Sequence, residues 1–286
     1  MVLSTTERYY LLECLSGSKV IRADARRVDQ FRPVEATCSF LPNSNGSSRV
    51  RLPDGSECIA SVKAKVVKVE SSEVTDLLNV EVDINGQRDD AEAVVSFSSI
   101  LKESLAQCIP ESLLKLTEKY AFELSIDAIV ISYPSGISSF YSILTLVSMA
   151  VYLALKSTSL PLLTSTTEDA EVEEEPTFSD DWDLAKLLFP KDRLLAPPLL
   201  FVLAMVGPNL LLDPSVEELE VAENGLFVGF ASNKAGAPIR SISLNSTNNK
   251  GLSTNHILDA VSTVDSVGGS VLKALNSIVE NSTSEF

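Results

Sequence analysis

The sequence predicts an α+β fold in two similar halves, and three features carry the prediction. Residues 34–84 hold short alternating or apolar runs cut by Asn-Gly and Asp-Gly pairs, which is hairpin chemistry. An uncharged stretch from Ala128 to Leu155 changes from strand-like to helix-like at Pro134-Ser135-Gly136. A second group of apolar strands, beginning at Leu199, is followed by one long amphipathic helix from about Thr254. The order is strands, helices, strands, helix, without the strict alternation of a doubly wound sheet.

Taken in order, residues 4–17 read as a short helix with Tyr9, Tyr10, Leu12 and Leu15 on its apolar side. Strands are expected at Val34–Phe40, Ser48–Leu52, Cys58–Val69 and Leu77–Ile84. Asn45-Gly46, Asp54-Gly55 and Asn85-Gly86 punctuate them and tolerate the positive φ of tight hairpin turns. Residues 91–109 have helical periodicity, and a strand follows at Tyr120–Ser132. The uncharged run is long enough to be tested as a membrane span. However, Ser138, Ser142, Thr145 and Ser148 give its helical part a small polar stripe suited to packing on a sheet. Lys156 stands alone before a long acidic run and no basic cluster fixes an orientation, so burial is expected instead of insertion.

Nine acids and no Lys or Arg between Glu168 and Asp183 mark a solvated loop and the clearest boundary. Beyond it, strands are expected at Leu199–Val206 and Leu210–Asp213, joined at Gly207-Pro208-Asn209, then at Leu226–Ser232 and Ile239–Leu244. In the last helix Ile257, Leu258, Val261, Val264, Leu272, Leu275 and Ile278 are spaced for one buried face, despite Gly268-Gly269. The expected organisation is an N-terminal helix over 1–20, a first half over 21–165, an acidic loop over 166–185 and a second half over 186–286.

The net charge of −16 opposes independent, tight binding to a nucleic-acid backbone. Between Arg22 and Lys68 the balance reverses, with nine basic residues: Arg22, Arg26, Arg27, Arg32, Arg49, Arg51, Lys63, Lys65 and Lys68. They read as a mixed-charge face or as a local contact to a polyanion. Cys14, Cys38, Cys58 and Cys108 are too scattered for a zinc site or a disulfide scaffold, so reduced thiols in the cytosol or nucleus are expected. The first 20 residues include Glu7, Arg8, Glu13 and Lys19 and show no secretory signal.

The inventory for catalysis is thin. His256 is the single histidine, near the start of the last helix, where a surface or capping role is expected. No G-x-x-x-x-G-K-[ST] and no G-x-G-x-x-G after a strand are present. Asp213, followed by Pro214, is expected to begin a turn.

Arg22-Ala23-Asp24-Ala25-Arg26 resembles a worn form of the R-x-D-G-R motif of the RNase PH family, and Phe31-Arg32-Pro33-Val34 follows at the family's spacing. The stretches Asn45–Val50 and Asp54–Val66 resemble that family's first β-hairpin. Val82-Asp83-Ile84-Asn85-Gly86-Gln87-Arg88-Asp89-Asp90, Leu211-Leu212-Asp213-Pro214 and Ala237-Pro238-Ile239-Arg240-Ser241 are similar to its ring subunits from the eukaryotic exosome. The resemblance spans nearly the whole chain. It implies two βαβ-type halves, the first resembling a ribosomal S5 domain 2-like fold. It also implies work in 3′-to-5′ RNA processing and decay in nucleus, nucleolus and cytoplasm. The implied partners are other RNase PH-like subunits in a hetero-hexameric ring, cap subunits of S1/KH type and single-stranded RNA, with no membrane. No cofactor and no metal are expected.

Departures from the active members of that family bear on catalysis. Those members hold phosphate in a Gly-Gly-Ser/Thr-Arg loop leading into the long helix, where backbone N–H groups and the Arg bind the anion. The matching junction here is Tyr133-Pro134-Ser135-Gly136-Ile137-Ser138, which lacks the Arg and loses an N–H at Pro134. Where active members place an Asp, this chain offers Glu223 or Asn224. The resemblance therefore implies a non-catalytic subunit, with an active phosphate-dependent exoribonuclease as the alternative. Arg88, Lys115 and Lys119 are the expected RNA contacts; the alternative for Arg88 is pairing with Asp89 or Asp90.

Overall fold

Two sheets carry the chain, with the uncharged helix between them. The computed structural model describes residues 3–68, 77–117, 119–134, 139–164, 176–189, 196–244 and 251–283. After helix α1 (Thr5–Ser16), strands β1 (Glu35–Cys38), β2 (Gly46–Arg51), β3 (Glu57–Lys68), β4 (Leu78–Ile84) and β5 (Tyr120–Ser132) form one sheet in the order β1-β2-β3-β5-β4. Its ladders are antiparallel except that β4 runs parallel to β5. A parallel pair needs a crossover, and α2 (Glu92–Cys108) with the short α3 (Glu111–Leu114) supplies it. Period-two patterning sets the faces: Leu78, Val80, Val82 and Ile84 point inward while Asn79, Glu81 and Asp83 face solvent.

Helix α4 (Ser139–Lys156) leaves the end of β5 and packs on β2 and β3. A two-stranded ladder of β6 (Ser159–Leu160) and β7 (Lys186–Leu187) follows. The second sheet contains β8 (Leu199–Val206), β9 (Asn209–Leu212), β10 (Asn224–Ala231) and β11 (Lys234–Ser243), in the order β11-β10-β8-β9. Both β9 and β10 are antiparallel to β8, so they run parallel to each other. Helix α5 (Val216–Val221) connects them, which makes a βαβ-type unit split by β8. The long α6 (Thr254–Thr283) closes the chain against β10, β11 and β1. Thus α2, α4 and α6 lie between the sheets, and one hydrophobic core runs through all three layers.

The polar stripe on α4 has a defined task. The first residues of β8 extend beyond β9, which pairs only with Leu203–Val206. Their free N–H groups need acceptors, and the α4 hydroxyls provide them. Leu200 N donates to Ser148 Oγ at 2.8 Å, and Val202 N donates to Thr145 Oγ1 at 3.3 Å. Every residue of β8 is buried because α4 covers one face while α1 and α5 pack at the other. No helix among the described residues is long and apolar enough to cross a membrane.

Several expectations need correction. Tyr9 and Tyr10 on α1 are exposed, at 70% and 66%, and Leu11 and Leu15 make the packed side instead. Leu258 is exposed too, so the buried face of α6 runs through Ala260, Val264, Leu272 and Leu275. Asn45-Gly46 is not a turn: Gly46 is the first residue of β2. A Cβ there would lie 2.3 Å from Thr158 Oγ1 and 2.4 Å from the Ala154 carbonyl, so glycine lets the end of α4 approach the sheet. Asp54-Gly55 does turn between β2 and β3, with φ +85° at Gly55. Asn85-Gly86 joins a strand to a helix, not to a hairpin partner. Gly268 sits in α6 because the Phe230 ring occupies the space a side chain would need. Of the acidic run, residues 168–175 lie outside the described residues.

Candidate functional site

Arg22, Arg26 and Arg32, before β1, converge on Asp213 and Glu218, which follow β9. Arg22 donates to both oxygens of Glu218 on α5, at 2.8 and 2.7 Å, and also to the carbonyls of Arg27, Leu212 and Asp213. Arg32 forks onto Asp213 at 3.0 and 2.7 Å, and its backbone N–H adds a third bond at 2.9 Å. Asp54, in the β2–β3 turn, takes the other side of Arg32 at 2.5 Å. Arg26 reaches Asp213 at 3.2 Å and Asp24 at 2.5 Å. Bidentate charge-assisted bonds of this kind fix relative orientation, and here they tie the segment before β1 to β9 and α5.

Asp213 is therefore more than the opener of a turn. It is 3% exposed and adopts φ 47°, a left-handed conformation that Asp tolerates. Burial raises its pKa, but the charge and hydrogen bonds of Arg32 and the charge of Arg26 outweigh this and hold it below the usual carboxylate range. Burial likewise disfavours the charge on Arg32, yet Asp213 and Asp54 hold its proton more tightly than usual. Three of the nine basic residues read as a surface face are thus buried in this network, Arg22 at 2% and Arg32 at 7% exposure and Arg26 with a buried side chain. Among the rest, Arg49 and Arg51 pair with Glu57, and Arg27 pairs with Asp29. The sequence signal that could have found the network was a lone Asp ending the apolar run Leu210-Leu211-Leu212. A charge delivered into a core needs a partner.

The network lies beneath the first turn of α4, where Arg32 Nη2 donates to the Ser142 carbonyl at 3.3 Å. In the described part of the preceding junction, Pro134 is half-buried, while Ser135 and Gly136 lie outside the described residues. Tyr133 packs tilted against Phe140 with ring centroids 5.8 Å apart and accepts a hydrogen bond from Gln87 at 3.4 Å. Asn85 Nδ2 donates to the Ile131 carbonyl at 2.9 Å. The β4–α2 turn is thereby held beside the junction, and it carries Arg88. Arg88 is exposed and makes no ion pair with Asp89 or Asp90 among the described residues, so the pairing alternative is not realised.

Lys115 and Lys119 are exposed at the opposite end of β5, and both are engaged with neighbours. Thirteen residues of β5 intervene, a separation on the order of 40 Å. The three basic residues therefore do not form one patch. Lys115 instead borders a groove of about 680 Å³ lined by Leu113, Leu116, Phe122 and Leu163. Glu223 and Asn224 are buried where β10 begins, with Glu223 N donating to the Met205 carbonyl at 2.9 Å. The Asn224 amide nitrogen is buried with no hydrogen-bond partner among the described residues. Tyr141 on α4 and Phe227 on β10, 5.9 Å between centroids, connect this strand to the start of α4. His256 is half-buried in the first turn of α6, remote in sequence from all of these.

Comparison with known proteins fits this geometry. Residues 30–161 match the RNase PH description, 3′ exoribonuclease family, domain 1. Across 280 residues the chain is 43% identical to the exosome complex component RRP42 of Saccharomyces cerevisiae, covering 97% of this chain and 100% of that protein. The chain belongs to the RNase PH-like family, on the RRP42 branch. The exosome complex component rrp42 of Schizosaccharomyces pombe is 25% identical over 98% of this chain and 96% of its own length. Among solved structures, an archaeal exosome core superposes with TM-score 0.67 at 17% identity, over 95% of this chain and 96% of that one. A chain of the Archaeoglobus fulgidus exosome with RNA bound to the active site gives 0.68 at 16%, over 94% and 97%. Rice Rrp46 gives 0.62 at 15%, over 91% and 100%. These structural likenesses establish the shared RNase PH fold.

Proposed function

We propose that this chain is a non-catalytic ring subunit of the RNA exosome, supporting 3′-to-5′ processing and degradation of RNA by helping to build the central channel. The observation that carries this reading is the end-to-end match to the yeast RRP42 component. Three features favour the absence of turnover. The junction before α4 lacks an Arg and contains Pro134. Arg22, Arg26 and Arg32, beneath that helix, are already neutralised by Glu218, Asp213, Asp54 and Asp24. Glu223 and Asn224 stand where a metal-assisting Asp would be needed.

In this reading the partners are other RNase PH-like subunits, cap subunits of S1/KH type and single-stranded RNA. Arg88, Lys115 and Lys119 touch the RNA backbone at separate depths of a shared channel, independent of sequence. Neighbouring subunits supply most of the positive charge, which reconciles a net charge of −16 with an RNA task. The complex works in nucleus, nucleolus and cytoplasm, which imaging of a fluorescently tagged chain tests directly. Affinity purification with mass spectrometry tests the assembly: other RNase PH-like chains should co-purify, and their absence would sink the proposal. The purified chain should release no nucleoside diphosphate from single-stranded RNA with phosphate and Mg²⁺; release would establish the phosphorolytic alternative.

A further inference from the structure

Four carboxylates at one edge of the first sheet, Glu81, Asp83, Asp89 and Asp127, have no ion-pair partner among the described residues. Glu81 accepts one hydrogen bond, from Asn79 at 3.1 Å. Strand β4 ends this sheet, and no strand among the described residues lies along its outer edge. Among the described residues, alternate backbone N–H and C=O groups on that edge are therefore open to another strand. A cleft of about 700 Å³ wraps over the edge between β4 and α2, and Val80, Val82 and Val94 join the four acids in its lining. Val95 on α2 and Ile129 on β5, which also line it, are 54% and 45% exposed.

Charge that only keeps other strands away would not need an apolar cleft beside it. A bound cation is not the explanation either, because no three acids converge to metal-ligating distance among the described residues.

We propose that the outer edge of β4 receives an extended, basic segment of a partner protein as an added strand. Side chains of an extended guest alternate between two faces. On the outer face they meet Glu81, Asp83 and Asp127, which select Lys or Arg. On the other face they meet the exposed Val95 at the rim of α2, with Val80, Val82 and Val94 buried behind it, which selects apolar residues. The guest therefore alternates basic and apolar residues, its backbone giving affinity and its side chains specificity. Strand β4 offers seven residues of edge, which a short linear segment spans, and this inference does not depend on the ring reading.

The test titrates a fluorescein-labelled decapeptide of alternating lysine and valine into the full chain, alone or in the complex with which it purifies. Fluorescence anisotropy should show saturable one-to-one binding. The doubly substituted chain Glu81→Lys, Asp83→Lys should bind about tenfold more weakly. Methylating every second backbone nitrogen of the peptide should weaken binding about tenfold too, by removing the N–H groups that face β4. Equal binding of the methylated peptide would mean unspecific attraction to an acidic chain and overturn the added strand. Undiminished binding to the double variant would place the site elsewhere and overturn the proposal. Co-purification distinguishes the remaining case: a double variant that melts normally but loses ring partners would assign this edge to a neighbour and refute a separate segment. If it keeps those partners and loses the peptide, the proposal stands.

Discussion

Replacing Asp213 with Asn tests whether the arginine network ties the segment before β1 to β9 and α5. The change keeps the shape but removes the charge that accepts the Arg32 fork at 3.0 and 2.7 Å and the Arg26 contact at 3.2 Å. Removing one partner of a buried pair leaves the other charge uncompensated, which costs about 3–5 kcal/mol. Arg32 keeps Asp54, whose side chain is 24% exposed, so the lower end, about 3 kcal/mol, applies. For a chain of this size that lowers the melting temperature by roughly 6–12 °C, read by far-ultraviolet circular dichroism. A double-mutant cycle with Arg32→Met should recover part of the loss, because the stranded guanidinium is then gone. A shift of less than about 2 °C for Asp213→Asn, or simple additivity in the cycle, would refute the reasoning.

The same carboxyl predicts a pH dependence. Its pKa is lowered on folding, so its stabilisation is full above the unfolded value of about 3.9 and is lost as pH falls through the lower folded value. The melting temperature of the parent chain should fall in that acidic window, and the slope should be shallower in Asp213→Asn. Gly46→Ala should destabilise by about 1–3 kcal/mol through overpacking against Thr158 and Ala154. The same change at Gly55 meets open space and should cost about 1–2 kcal/mol from its φ of +85°. Both are measured by urea denaturation. Burial pushes Cys58 up to about 12 and Cys38 up to about 11, so at pH 8 Ellman's reagent should label neither until the chain unfolds. Arg88→Ala should leave the melting temperature unchanged within about 1 °C, because the side chain is exposed and unpaired among the described residues. Its effect should appear only as weaker crosslinking of the assembled complex to RNA.

Local patterning was legible wherever one element met one environment. Strand β8 spans the expected Leu199–Val206, and β5 spans the expected Tyr120–Ser132. The small polar stripe of α4 was visible as a packing device, although its hydroxyl bonds to the β8 backbone depend on how far β9 reaches. The errors share a cause. Tyr9 and Leu258 satisfied helical periodicity but face solvent, because periodicity reports a possible apolar face and not what lies opposite. Asn45-Gly46 looked like a turn because Asn-Gly usually is one; the close approach of α4 decided otherwise.

That the stretch Tyr133–Ser138 holds Pro134 and no Arg is a property of the sequence alone, since backbone donors and charged side chains are specified by residue type. The apolar runs, the uncharged helix and the lone Asp after Leu212 were equally plain there. Where the charges go is a different matter, because a charge finds its partner across sequence separations that no local rule spans. Only the tertiary structure brings Arg22 and Arg32 onto Glu218 and Asp213, more than 180 residues away, and sets Arg88 and Lys115 at opposite ends of one long strand.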